Sequence, residues 1–287
     1  MKQNVNLLEG SIVKGLSKLA FPIMGTSLIQ MAYNLTDMIW IGRVSSNAVA
    51  AVGAAGMYLW LANGIATIPR LGGQVKAAHA LGAGRKEEAA AYGRAALHMG
   101  VILTLLCTAV YLIANRPLID FFNLNHESVV RDARDYLIIV GTGLVFSFFN
   151  QIFTGLFTAM GNSIVTFRST AVGLVANIVL DPLFIFGLGP IPRMEVAGAA
   201  IATVLAQAIV FLMFLLAMRK DSTLFSEIHF WRKSRWDHWK GMIQIGLPVA
   251  VQNIIFSSLS MIIARLIAGW GDAAVAVQKV GSQIESI

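Results

Sequence analysis

The chain is a series of long apolar stretches broken by short clusters of polar and charged residues. A helix needs about 20 mostly apolar residues to cross a bilayer. On that measure the pattern predicts seven complete spans, at 16–41, 47–69, 94–115, 135–158, 164–188, 196–218 and 242–268. An eighth begins near 273 and is cut off at Ile287. The expected fold class is an all-α polytopic membrane protein.

Composition sharpens this reading. Hydrophobic residues make up 56% and charged residues 13%, with a mean hydropathy of +0.69. A soluble domain carries about 25% charged residues, so the shortage of charge is what places the chain in a membrane. The lone cysteine, Cys107, lies mid-span, can form no intrachain disulfide and reads as packing. The first apolar run is too long for the core of a signal peptide and has no small-x-small cleavage site after it.

The net charge of +7 invites a nucleic-acid reading. However, the basic residues cluster in connections between spans, and no basic stripe is interleaved with exposed aromatics. They also alternate by side. Fifteen of the 22 fall on the N-terminal stretch, the loops after spans 2 and 6, and Arg168 after span 4. Six (Arg43, Arg116, Arg131, Arg134, Arg193 and Arg265) fall on the other side. By the positive-inside rule the N-terminus and the even loops are cytoplasmic.

An internal repeat is visible. KLAFPIMGTSLIQ around Pro22 resembles QIGLPVAVQNIIF around Pro248, and GRVSSNAVAAV at 42–52 is echoed by GWGDAAVAVQKV at 269–280. The two copies lie six spans apart and start on the same side, which is the signature of a parallel repeat. The expected organisation is a six-helix N-terminal lobe at 1–220, a cytoplasmic linker at 221–240, and the start of an incomplete second lobe at 241–287.

The chemistry-bearing residues lie inside the spans. Gln30, Tyr33, Asn34 and Asp37 follow helical i, i+3, i+4, i+7 spacing and form one polar stripe on span 1. In lipid such a stripe must face protein or water. A mid-bilayer carboxylate costs roughly 2.5–3.5 kcal/mol on insertion scales, so Asp37 marks a candidate ion or substrate pathway. Pro22 makes a bend in the same helix plausible. Interhelical hydrogen bonding is the plainer role for Gln30 and Asn34.

Span 5 places Asn177 and Asp181 on one face, with Pro182 next. Asp181 could cap a helix restarting at Pro182. Alternatively, Asp37 and Asp181 could share a proton or, with Asn177 and Thr203, ligand Na⁺. Spans 4 and 6 add Asn150, Gln151 and Gln207. Met31, Met57, Trp60, Phe153, Phe157 and Met160 could line a cavity for bulky apolar cations, although packing is the plainer role for each. No metal-ligand spacing appears among the histidines. Gly82-Ala-Gly84-Arg-Lys86 lacks the spacing of a phosphate loop, so no ATP site and no cofactor is expected.

Four ordered motifs resemble the multidrug and toxic compound extrusion (MATE) family. They are FPIMGTSLIQMAYNLTDMIWIGRVSSNAVAAVG, AHALGAGRKEEA, ANIVLDPLFIFGLG and VAGAAIATVLAQ. The resemblance implies two six-helix lobes around a central cavity, and export of amphipathic cationic drugs in exchange for H⁺, with Na⁺ the alternative. It implies an ion-coupling set of Asp37, Asn177, Asp181 and Thr203 and a hinge at Pro22. It also implies substrate contact at Gln30, to which the spans add Tyr33, Asn34, Asn150, Gln151 and Met160. The expected location is the plasma membrane, a prokaryotic inner membrane, as a transporter rather than an enzyme. Family members have twelve helices, and Phe256 stands near the place where another branch carries a glutamate. A lipid-linked oligosaccharide flippase is the nearest rival, with a non-transporting membrane protein behind it; the absence of arginine or lysine in spans 1–6 away from their ends counts against the flippase.

Overall fold

The computed structural model describes residues 12–187, 192–221 and 223–285, without the side chains of 12–15, 19 and 282–285. Lys2 of the basic N-terminal stretch and residue 188 at the expected end of span 5 lie outside the described residues. Within them the chain is all α: α1 (Ile12–Gly42), α2 (Ser46–Gly82), α3 (Lys86–Ile113), α4 (Asn115–Asp120), α5 (Glu127–Ala159), α6 (Ser163–Phe186), α7 (Glu195–Arg219), α8 (Trp236–Ala268) and α9 (Asp272–Glu285), with a 3₁₀ turn at Phe225–Glu227.

Each predicted span falls on one helix, but the helices outrun the apolar stretches. α2 continues from the expected end at 69 to Gly82, and α3 starts at Lys86 rather than 94. The added turns, QVKAAHALG and KEEAAAYG, are rich in good helix formers that hydropathy does not register. Gly84, at φ +75°, breaks the run between them, and Arg85 pairs with Glu88 at 2.7 Å. Ser45 opens α2 by accepting a 3.0 Å hydrogen bond from the Ala48 amide.

By length and composition α2, α3, α5, α6, α7 and α8 can each cross a membrane. α1 is long enough, at about 46 Å, but its polar stripe leaves it less apolar than these six.

The prolines inside the long helices of the first lobe, Pro22, Pro69 and Pro182, all sit in unbroken helices. Asp181 therefore caps nothing: α6 runs through Pro182 to Phe186, and the carboxylate bonds to a side chain instead. α1 likewise passes through Pro22, whose carbonyl accepts a 2.8 Å hydrogen bond from the Thr26 hydroxyl.

α2 is the central helix, packed against α5, α8, α3 and α9, while α6 joins α7 and α1 at the side. Small residues allow this crowding. Ala50, Ala51, Ala54, Ala55, Ala62 and Ala66 of α2 are fully buried. A Cβ on Gly246 of α8 would lie 2.6 Å from the Ile68 Cα, and one on Gly72 would lie 2.8 Å from the Met242 Cα, so the α2 and α8 backbones touch. Gly246→Val is expected to pry α8 from α2 and cost about 1–3 kcal/mol. Denaturant titration of the purified chain checks this, and an unchanged midpoint would contradict the contact.

The segment α8–turn–α9 repeats α1–turn–α2: a proline-bearing helix, a three-residue turn, then a second helix. Asp272, first in α9, is tied to the α4–α5 connection. Its Oδ1 accepts from the Asn125 backbone at 2.9 Å, and its Oδ2 accepts from the His126 backbone at 3.1 Å and lies 2.7 Å from the His126 Nδ1. Burial works against its charge, but these hydrogen bonds prevail and hold the carboxyl below the usual carboxylate range. A lowered folded value means the clamp stabilises fully above the ordinary carboxylate range and fades as pH falls through the lowered value. Asp272→Asn is therefore expected to cost about 2 kcal/mol at neutral pH, with the gap to the parent closing in acid. A gap that is constant with pH in denaturant titrations would refute this.

Candidate functional site

The bundle has two apolar cores, with a band of polar residues between them. One core takes α2 up to Ala66 and α5 up to Phe148; the other takes α2 from Ala77 and α5 from Ile152. In the gap or at its edge lie polar residues of three helices: Asn63 at the edge, Thr67 and Arg70 on α2; Ser147 at the edge, Asn150 and Gln151 on α5; Thr203 and Gln207 on α7. A polar belt thus crosses the bundle at mid-height, opposite the stripe on α1.

The stripe forms as predicted. Gln30, Tyr33, Asn34 and Asp37 line one cavity with Trp60, Asn63, Tyr136, Thr203, Gln207 and Lys279. An adjoining cavity shares Gln30, Tyr33 and Asn34 and adds Arg70, Asn150, Gln151 and Thr154. Asn150 donates to both the backbone oxygen and Oε1 of Gln207 at 2.9 Å, joining α5 to α7. Gln151 donates to Oδ1 of Asn63 at 2.8 Å, joining α5 to α2. Met160 lies elsewhere, buried in the second core with its sulfur 3.4 Å from the Thr223 hydroxyl.

Asn177 and Asp181 are fully buried, and the Asn177 amide donates to Asp181 Oδ1 at 3.0 Å. Asp37 and Asp181 act on each other electrostatically, and both act on the hydroxyls of Tyr33 and Tyr136. Three oxygens of this group (Asp37 Oδ1, Asn177 Oδ1 and Asp181 Oδ2) are buried with no hydrogen-bond partner among the described residues, while the Tyr33 and Tyr136 hydroxyls meet Thr203. A buried polar atom left so costs about 1–3 kcal/mol. Native structures rarely tolerate one, and here three gather on two carboxylates and the amide beside them. Such a set of oxygens can accept a proton or a hard cation.

Near the proline of α1, a Cβ on Gly25 would lie 2.7 Å from the Phe167 ring, so one turn beyond Pro22 the helix rests directly on α6.

Two charged residues escaped the sequence reading. Lys279 of α9 is almost fully buried, with Nζ 4.6 Å over the Trp60 ring and close enough to Asp37 to act on its charge. Its signal was a lone lysine in the eighth apolar stretch. Arg70 was assigned to a loop because the apolar run ends at Pro69, yet it lies inside α2 between the two cores. The objection that a flippase would need a basic residue within the spans therefore lapses.

These features define a polytopic helical membrane protein that keeps ionisable groups inside the bundle beside a cavity, the architecture of a transporter lobe. The MatE family model matches residues 22–183, and the chain belongs to the multidrug and toxic compound extrusion family. Among curated relatives it is 26% identical to the "Probable multidrug resistance protein NorM" of Thermotoga maritima, over 96% of this chain and 59% of that protein. It is 24% identical to the "FAD transporter" of Shewanella oneidensis, over 100% of this chain and 63% of that protein. A solved MOP superfamily transporter from Pyrococcus furiosus, described as having a binding pocket of reverse polarity, superposes with a TM-score of 0.81 at 27% identity, covering 91% of this chain and 57% of that one. The chain spans about six-tenths of the length of these relatives.

Proposed function

We propose that the chain forms the ion-binding lobe of a cation-coupled antiporter that exports small amphipathic compounds, drug-like cations foremost. Residues 1–220 are the lobe, 221–240 the cytoplasmic linker and 241–287 the start of a partner lobe, with the N-terminus inside a prokaryotic inner membrane. The three orphaned oxygens of Asp37, Asn177 and Asp181 carry this reading. An ion taken up there would satisfy them, and its release would leave them exposed to the cavity, so occupancy favours one packing of α1 against α6 over another. Pro22 and Gly25 give α1 a place to change direction.

The proton is assigned ahead of Na⁺. Lys279 opposes any positive charge arriving at Asp37, proton and Na⁺ alike, but Asp181 is not under its influence, and a proton needs only one carboxylate oxygen where Na⁺ needs several ligands at once. Gln30, Tyr33, Asn34, Asn150 and Gln151 form the substrate wall; Met160 would act only through the core.

The test uses proteoliposomes with ethidium as cargo. They hold this chain, alone and joined to the C-terminal remainder of the Thermotoga relative. A proton gradient is expected to drive ethidium export in the joined form, and a Na⁺ gradient to drive less. Export indifferent to both gradients would sink the coupling reading.

A further inference from the structure

Arg70 is the cation of the cavity that no carboxylate answers. It sits inside α2, between the two apolar cores rather than at a helix end. Its Nε is buried without a hydrogen-bond partner, and the guanidinium makes no hydrogen bond or ion pair with any described residue. A charged side chain at such depth faces a cavity and marks a ligand pathway.

Two cavities meet at Arg70, sharing Trp60, Asn63 and Gln151, and neither is lined by an aspartate or a glutamate. The second opens between α2, α5 and α8, where Trp60 and Phe256 present exposed aromatic surface and Thr67, Asn253 and Ser257 present hydroxyl and amide groups. The local framework is fixed. Gln151 is tied to Asn63, and Asn253 donates to Thr67 Oγ1 at 3.5 Å. Across from Arg70, a Cβ on Gly155 would lie 2.7 Å from the Arg70 carbonyl oxygen, so the glycine lets α5 close on the α2 backbone at this point.

We propose that Arg70 anchors a second subsite, opposite in charge to Asp37, for an aromatic solute bearing an oxyanion, a carboxylate or a phosphate. A planar guanidinium matches such a group with two parallel hydrogen bonds. The flat body of the solute lies against Trp60 and Phe256, and the amides and hydroxyls take its polar edges. A purely cationic drug is repelled here and finds no carboxylate; it belongs at the Asp37 end. The cavity therefore takes anionic and zwitterionic amphipaths as well as cations. This deepens the exporter reading, on which the word substrate rests, while the binding itself does not depend on coupling.

Flavin mononucleotide and riboflavin differ by one phosphate and both fluoresce. They are titrated against the purified 287-residue chain in phosphatidylcholine nanodiscs, and again with phosphatidylglycerol added. The phosphate is expected to tighten binding at least about tenfold, equivalent to 1.4 kcal/mol. Arg70→Gln should bring the mononucleotide down to riboflavin's affinity and leave riboflavin unchanged, while Arg70→Lys keeps part of the difference. Equal affinities in the parent chain, which need no variant, overturn the proposal, as does a preference that survives in Arg70→Gln. Loss of the preference when phosphatidylglycerol is added makes this a lipid-headgroup site and also overturns it. The same titration in Asp181→Asn separates the two readings: the phosphate preference should persist there, whatever that substitution does to coupled export.

Discussion

Replacing Asp181 by asparagine is expected to abolish gradient-driven export while leaving the chain as stable as the parent, or more so. The carboxylate is fully buried, its one hydrogen-bond partner among the described residues is the Asn177 amide, and its Oδ2 has none. An amide of the same shape can still meet Asn177 and removes a charge held out of water, a change that is often neutral or stabilising for buried ionic groups. Function should fail for the opposite reason. The amide cannot take up and release a proton, and it weakens any cation site formed with Asp37 and Thr203. Export is read in the joined proteoliposomes, and stability by denaturant titration of the 287-residue chain. Export at the parent's rate would remove Asp181 from the coupling set. Export lost together with the fold would make Asp181 a structural residue.

The sequence shows the spans and the two aspartates for the same physical reason. Apolar stretches of bilayer length and charges within them are both costly to arrange any other way, so both stand out against composition alone. The stripe from Gln30 to Asp37 was legible because helical spacing converts directly into a shared face. Three things were not. The ends of α2 and α3 lie in alanine-rich, charged turns, where helix propensity rather than hydropathy sets the boundary, and this hid Arg70 inside a helix. The choice between a cap and a buried carboxylate at Asp181 turns on whether Pro182 restarts a helix or is carried through one that packs against α7 and α1. The position of Lys279 depends on α9 docking against α2, a contact between residues far apart in the chain. Nothing local to the eighth stretch indicates that its lysine faces Asp37 rather than solvent.

That lysine gives the second large prediction. Lys279 lies along α2 where Gly53 makes way for it: a Cβ there would be 3.3 Å from the Lys279 Cβ. Methionine keeps the stem and its packing but deletes the ammonium, leaving Asp37 to face the cavity without that charge. Removing one partner of a fully buried pair costs about 3–5 kcal/mol; at a cavity wall, where solvent screens the charges, about 2 kcal/mol is expected. Asp37→Asn should cost a similar amount, because it deprives a buried lysine of its carboxylate. The double variant Asp37→Asn/Lys279→Met removes both charges and is expected to recover most of the loss. Three denaturant titrations against the parent close this cycle. Costs that simply add would show that the two charges ignore each other. Recovery in the double variant would mean that the first lobe's carboxylate and the second repeat's lysine form one electrostatic unit. Any ion that binds Asp37 must then compete with a charge carried by α9, so ion binding and the docking of α9 on α2 would be thermodynamically linked.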